Sequence, residues 1–507
     1  MLENFWLGTA TLFSDPTSVS LFFAGLLGGM LFGAIPGINM LTLGAVILPF
    51  TATMTPADAI MLYSVIYCSG VFGGAITAIL FNIPGSPENA PTAFDGFPMT
   101  QQGKAAKAIG AAVLCSSFGG IMSAIVMMSA TPIIANWAVR AFGPPEIFAL
   151  ICFGLAVSAS VGAQNLLKGV LSVTLGLLIA TVGTDPSDGI PRFAFDTYYL
   201  LAGIHFIPMI LGLFAVSEVL VQGSKRLIGT EARVRVGLSF PTVLEFWRLR
   251  ITVIRSIVLG FFAGILPGIG ATLAAFLSYN EAVRWARDKT QFGKGALGGV
   301  VASETANNAA TGAAMIPLLA LGLPGGALTA MMIGVFQLHG MDPGPLVFTT
   351  SHELVWVVFA AMFFANCFIL ALGYLQTKTV VHLLRIPFQL LAPAILLIAT
   401  VGAFAVRNLT LDIWVMYLAG IAGFFLRRSG YSIAGIVLGL ILGGLGESAF
   451  AKSMQILDYD LLALFQRPIA AVLLVGAILT IIWNVAGEIR RHWHATKGGY
   501  AASVKGD

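Results

Sequence analysis

The sequence predicts an all-α polytopic membrane protein built from inverted structural repeats, with about 11 crossings and two re-entrant hairpins broken at Pro-Gly. Three observations lead there. The 507 residues are 57% hydrophobic and 10% charged, with a mean hydropathy of +0.90, whereas soluble domains are about 25% charged. Apolar runs long enough to cross about 30 Å of hydrocarbon recur along the whole chain. The basic residues are also strongly sorted. In the topology below, all 27 Lys and Arg face the cytoplasm except Arg140, Arg192, Arg407, Lys452 and Arg467, as retention of basic loops on that side requires.

The first apolar stretch, 19–50, is interrupted by Pro36-Gly37 and is flanked by Glu3, Asp15 and Asp58 with no Lys or Arg, so both its ends are expected outside. The start of the chain has no basic residue before this stretch, which is therefore read as mature structure and not as a secretory signal. Crossings follow at 57–81, 108–131, 147–163, 168–184 and 198–220, and a polar, basic linker occupies 221–250 on the cytoplasmic side. The second broken stretch, 251–279, carries Pro267-Gly268 and has basic residues on both sides, so it must turn back to the cytoplasm. Crossings are then expected at 296–321, 354–376, 387–403, 411–426, 431–447 and 468–487. The chain thus divides into a first repeat, 1–220, the linker, and a second repeat with an extra C-terminal helix, 251–507, the N-terminus periplasmic and the C-terminus cytoplasmic.

The halves also share sequence. GAIPGIN at 33–39 resembles GILPGIG at 264–270, and FNIPGS at 81–86 resembles LGLPGG at 321–326, in the same order. Inverted repeats with broken helices point to a secondary transporter whose site lies near the midplane. The alternative is that each Pro-Gly only kinks a packed helix.

A break deep in the bilayer frees backbone groups that only protein or a polar cavity satisfies. Pro36, Gly37, Asn39 and Thr42 in the first hairpin, and Gly268, Gly270 and Thr272 in the second, lie where helix N-termini would present amides to an anion. Pro84, Gly85 and Ser86, and Pro324, Gly325 and Gly326, form the second pair of breaks. Glu304, Asn307, Asn308 and Thr311 stand at i, i+3, i+4 and i+7, one polar face of a crossing, with Glu304 roughly 12 Å from its cytoplasmic end. An acidic residue at that depth costs about 2.5–3.5 kcal/mol and must have a partner or a function, the alternative being a purely structural hydrogen-bonded stripe. The equivalent first-half positions, Ser64, Tyr67, Cys68 and Val71, are less polar. Residues 82–104 are too polar to cross and too Pro-rich for an ordinary helix. Ser86, Glu88, Asn89 and Thr92 there are candidates to reach substrate or a cation, and Asp95-Gly96 is expected to make a turn.

Other chemistry is disfavoured. Cys68, Cys115, Cys152 and Cys367 have no metal or disulfide spacing, and the histidines, including His205 and His339, do not cluster. PGIGATLA lacks the strand of a dinucleotide loop, and the sequon at Asn408 has no evident meaning. No nucleophile and base pair suggests an enzyme. No permanent cofactor and no nucleic-acid partner is expected.

Five segments carry a family resemblance: the first hairpin ending in LPF at 48–50, GGAITAILFNIPG at 73–85, DGFPMTQQGKAAKAIG at 95–110, GFFAGILPGIGAT at 260–272 and ETANNAATGAAMIPLLALGLPGG at 304–326. Through them the chain resembles the TctA family, the large membrane subunit of tripartite tricarboxylate transporters. The resemblance implies a small membrane subunit of TctB type, a periplasmic binding protein of TctC type, and cation-coupled carboxylate import across the bacterial inner membrane without ATP. Ser303 replaces the proline usual before the Glu, and Ser-Pro-Glu-Asn at 86–89 replaces small residues. Glu88 beside a tricarboxylate would have to bind a cation or point away.

The expected mechanism follows from charge. Import of a trianion against an inside-negative potential costs roughly 7 kcal/mol per 100 mV, so cations must accompany it. Hairpin-tip amides with Asn39, Asn307 and Asn308 are expected to hold carboxylate, and Glu304, Thr311 and Glu88 a transient Na⁺ or proton. A passive anion channel or, further off, an intramembrane enzyme are the rival readings.

Overall fold

The computed structural model describes residues 1–35, 38–160, 165–185, 188–224, 241–266, 270–383 and 388–503. Among them almost all secondary structure is helical, apart from a two-residue antiparallel pairing of Gly183–Thr184 with Pro191–Arg192. Among the described residues nine helices are long and apolar enough to cross a membrane. A helix also stands at every expected crossing: Pro56–Phe81, Ala105–Ala141, Pro144–Ser160, Leu166–Ala180, Phe206–Ser224, Leu297–Leu321, His352–Leu383, Phe388–Arg407, Thr410–Arg428, Ile433–Ile456 and Pro468–Ser503. The chain is an all-α, multi-pass membrane protein.

The helices fall into two compact units. The first comprises Met1–Arg140 and His205–Phe424. At its centre lie the first central helix, Pro56–Phe81, and the second, Leu297–Leu321, both buried along nearly their whole length. Each is packed by a broken pair. The first pair is Pro16–Ala34 followed by Met40–Ile47, and the second is Arg250–Ile265 followed by Gly270–Trp285. Pro36, Gly37 and Gly268, with Pro267, lie outside the described residues. The chain is extended just before each break, with ψ of 118° at Ile35 and 123° at Leu266.

The leading arms pack in one shared register. A Cβ at Gly29 would come 3.0 Å from the Ile66 carbonyl and one at Gly33 2.3 Å from that of Gly70, while a Cβ at Gly260 or Gly264 would come 2.4 or 2.6 Å from the carbonyls of Ala306 and Ala310. The contacted residues are 240 positions apart in the two halves. Small residues every fourth position let the backbones approach this closely, which is how helices associate without a hydrophobic driving force. The same offset recurs at the C-terminal caps, where Asn82 and Gly322 take left-handed φ values of 57° and 74°. Ile83 N–H then bonds the Thr77 carbonyl at 3.4 Å, and Leu323 N–H that of Pro317 at 3.0 Å.

Several expectations change. Residues 82–104 contain a helix, Ala90–Gln101, because Pro91 sits in its first turn, where no N–H is needed. Asp95 and Gly96 lie inside this helix and make no turn. An equivalent helix, Ala327–Leu338, follows Pro324-Gly325-Gly326, and a helix covers Leu2–Ser14; neither was expected. The crossing placed at 198–220 begins at Phe206, since Gly203 turns at φ 74° and His205 Nδ1 caps the new start by accepting the Ile207 N–H.

The second unit comprises Ala141–Ile204 and Phe425–Asp507. Leu166–Ala180 and Ile433–Ile456 cross closely: a Cβ at Gly176 would meet the Ile436 carbonyl at 2.0 Å, and one at Gly439 that of Val173 at 2.3 Å. Arg467 donates to both Glu146 carboxylate oxygens, at 2.9 and 3.0 Å, and Arg192 pairs with Glu447 and Asp185.

Candidate functional site

The polar face of the second central helix is fully buried: Glu304, Asn307, Asn308 and Thr311 are each 0% exposed. A carboxylate there needs donors, and Glu304 has four. Oε1 accepts from Thr92 Oγ1 at 2.5 Å and from the amides of Asn89 and Asn307, each at 3.4 Å, and Oε2 accepts from Ser116 Oγ at 2.9 Å. Thr92 Oγ1 also lies 3.0 Å from the Ser303 hydroxyl, the position where the resemblance led one to expect proline. All four donors are neutral. The site therefore has the charge of one carboxylate to offer.

Asp95 explains why Thr92 arrives there. Its Oδ1 accepts three backbone N–H groups, from Gly293 at 2.8 Å, Gly295 at 2.9 Å and Ala296 at 2.8 Å, and its Oδ2 accepts the Tyr279 hydroxyl at 2.9 Å. These amides belong to the turn that leads into the second central helix, ending at its N-cap Ala296, so Asp95 fixes how that helix begins. A Cβ at Gly299 would stand 2.1 Å from Asp95 Oδ2, so only glycine permits this approach. With Asp95 pinned, Thr92 falls one turn back on the same helix face, over Glu304.

The first tip, Pro84-Gly85-Ser86, folds over the same helix. The Ser86 hydroxyl donates to Asn89 Oδ1 at 2.8 Å, the Asn89 amide donates to the Val71 carbonyl at 2.9 Å, and the Asn307 amide reaches the Glu88 carbonyl at 3.3 Å. Gly85 packs backbone on backbone, its Cβ position 1.9 Å from the Gly33 carbonyl and 2.6 Å from Gly74 Cα. Pro84 precedes it, half-buried. Glu88 is half-buried as well, yet its Oε2 is shielded from solvent and has no hydrogen-bond partner among the described residues.

The second tip, Pro324-Gly325-Gly326, meets the start of the second hairpin's returning helix. Gly270 has φ +49°, and its Cβ position lies 3.1 Å from the Gly325 carbonyl and 3.7 Å from the Tyr67 hydroxyl, which is also 3.5 Å from that of Gly326. Thr272, half-buried, follows in the first turn of that helix. In the first hairpin Asn39 is the N-cap of Met40–Ile47, its Oδ1 accepting the N–H of Leu41 at 3.0 Å and of Thr42 at 3.1 Å. Asn39 and Thr42 form this local cap, while Ser86, Glu88, Asn89, Thr92, Glu304 and Asn307 form one hydrogen-bonded network. Thr311 donates to the Asn308 carbonyl at 2.8 Å and lies 3.7 Å from Cys68 Sγ.

Sequence reasoning missed Ser116, Asp95 as an anchor, and Asn366, and set Tyr67 aside as less polar. Ser116 is one hydroxyl among the small residues of an apolar crossing and gives no periodic signal. Asn366 does give one, as a lone amide within an otherwise apolar run.

The signature described as "Tripartite tricarboxylate transporter TctA family" matches residues 19–438. A protein of Agrobacterium vitis described as "Uncharacterized 52.8 kDa protein in TAR-I ttuC' 3'region" is 36% identical over 493 residues, 97% of each chain. A second from that organism, "Uncharacterized protein in TAR-II ttuC' 3'region", is 36% identical over 231 residues, 46% of this chain and 96% of its own length. No solved structure matches. With the family signature across most of its length and a relative aligned nearly end to end, the chain belongs to the TctA family, the large subunit of tripartite tricarboxylate transporters.

Proposed function

We propose that this subunit imports an organic carboxylate by symport with Na⁺ or a proton, and that Glu304 is the coupling residue. The observation that carries the reading is the Glu304 carboxylate, fully buried and surrounded by four neutral donors from the first tip, the helix after it, a neighbouring crossing and its own helix. An intramembrane carboxylate without a basic partner is suited to hold one cation or one proton. Backbone amides at the two tips, Pro84 to Ser86 and Pro324 to Gly326, and at the hairpin breaks are the groups for substrate carboxylate oxygens, with Asn307 and Asn308 beside them. Glu88 and Thr311 are further cation ligands. The hairpin arms and tips would move against the remaining helices to alternate access.

In this reading a periplasmic binding protein of TctC type delivers the substrate and a small TctB-type subunit completes the permease in the bacterial inner membrane, N-terminus outside. The test is uptake of mono-, di- and tricarboxylates into proteoliposomes holding both membrane subunits and the binding protein, under imposed Na⁺ or H⁺ gradients. Glu304→Gln should lower cation-coupled uptake at least tenfold while the protein still inserts. Coupled uptake at the wild-type rate in that variant would sink the assignment. Uptake that follows only the substrate gradient and ignores the binding protein would favour a channel.

A further inference from the structure

Two buried asparagines of the first unit each hold an oxygen that no group among the described residues satisfies. Asn308 is 0% and Asn366 1% exposed. Both direct the amide N–H to the carbonyl one turn back in their own helix, Asn308 to Glu304 at 3.1 Å and Asn366 to Met362 at 2.8 Å, and Asn308 also donates to Asn307 Oδ1 at 2.8 Å. These bonds fix which end of each amide is oxygen. They leave Asn308 Oδ1 and Asn366 Oδ1 buried without a donor, an arrangement that folded proteins rarely tolerate unless an ion or water completes it.

The helices that carry the two asparagines flank the same stretch of Ala105–Ala141. Helices Ala105–Ala141 and Leu297–Leu321 run side by side in the same direction, with Ser116 bonded to Glu304 and Ser123 to the Ala309 carbonyl, so Asn308 lies level with Gly119 and Gly120. A Cβ at Gly120 would stand 1.9 Å from Asn366 Oδ1, so the missing side chain makes room for that amide. The Cys68 thiol lies 3.7 Å from Thr311 Oγ1 and beside the Asn366 side chain.

We propose that Asn308 Oδ1, Asn366 Oδ1 and Thr311 Oγ1 bind a dehydrated monovalent alkali cation, of Na⁺ type, one helical turn from Glu304, whose carboxylate balances its charge. Hard neutral oxygens select such an ion over soft metals, and among the described residues no group of three His, Cys, Asp or Glu is placed to hold a metal. One nearby carboxylate matches one positive charge, whereas a divalent ion would call for more. Among the described residues no Lys or Arg is buried. The site deepens the symport reading and rests on it for its role, but its occupancy is measurable without transport.

The experiment follows the melting of the purified full-length protein in detergent by tryptophan fluorescence as NaCl replaces choline chloride at constant ionic strength. The expected result is a saturable rise in melting temperature for the wild type, with the half-saturating Na⁺ concentration raised at least tenfold in Asn308→Ala and in Asn366→Ala. An unchanged midpoint in both variants, or no Na⁺-dependent rise in the wild type, overturns the site. Should the alanine variants not fold, the isosteric Asn366→Asp places a carboxylate oxygen at the same position and is expected to lower the midpoint at least tenfold; no change there overturns the site equally. Loss of coupled uptake as a property of the wild type, with an asparagine-dependent Na⁺ rise intact, would remove the transport reading and leave the cation site standing.

Discussion

At the scale of the residue, Asp95 and Thr92 act as one device. Asp95 gathers three backbone amides and a tyrosine hydroxyl, and Thr92, three residues earlier, receives the position from which it bonds Glu304. Removing one partner of a buried hydrogen bond leaves the other's desolvation uncompensated, at about 1–3 kcal/mol per group. Asp95→Ala orphans several donors together and is expected to lower the melting temperature of the detergent-solubilised protein more than Asp95→Asn, which keeps an acceptor oxygen. Thr92→Val should instead leave the fold largely intact and weaken uptake, because the hydroxyl lies on the Glu304 carboxylate and not on the helix entrance. The two substitutions touch one network, so a double-mutant cycle read in melting temperature should be non-additive. Additive effects would separate Asp95 from the Glu304 site.

At the scale of the element, the broken pairs are held by glycine. Gly33 and Gly264 face the carbonyls of Gly70 and Ala310, at 2.3 and 2.6 Å for an added Cβ, whereas Gly28 on the first arm would meet only the Leu43 side chain at 3.4 Å. Gly33→Ala and Gly264→Ala must push the arm off its central helix, and overpacking of this kind costs about 1–3 kcal/mol. Gly28→Ala is expected to stay within about 0.5 kcal/mol of wild type. Thermal melts of the three variants check this, and equal melting of Gly28→Ala and Gly33→Ala would contradict the shared register. Much of this was legible beforehand: the paired GAIPGIN and GILPGIG segments marked both breaks, and hydropathy marked the crossings. The helices Ala90–Gln101 and Ala327–Leu338 were not, since proline content and short length mask helical periodicity.

At the scale of the whole molecule, the contacts join segments that the charge pattern assigns to one and the same side. Lys107 bonds Glu245, and the Gln102 amide bonds the Lys294 carbonyl at 2.6 Å, each joining segments assigned to the cytoplasm. Asn4 lies 3.3 Å from His352, and Thr11 bonds Glu353 at 2.9 Å, joining segments assigned outside. Three of the five basic residues that the sequence assigns outside, Arg192, Arg407 and Arg467, are neutralised by Glu447 with Asp185, Asp412 and Glu146. Paired charge weighs less on orientation than free charge, so these residues do not oppose the expected topology. In a background lacking the four native cysteines, Tyr459→Cys should label in intact cells with an impermeant maleimide and Thr290→Cys only after permeabilisation. The reverse pattern would invert the topology.

Composition, basic-residue placement and the order of Pro-Gly breaks determined that this chain crosses a membrane many times, where it breaks, and that Glu304 sits on a polar face, because each is a property of one segment measured against water and lipid. Which groups satisfy Glu304 was decided only by tertiary structure. Its partners Thr92 and Ser116 lie 212 and 188 residues away in sequence, and the unpaired oxygens of Asn308 and Asn366 become visible only once their helices are packed. A hydrogen bond depends on the approach of two groups across space, and no periodicity within either helix encodes the other.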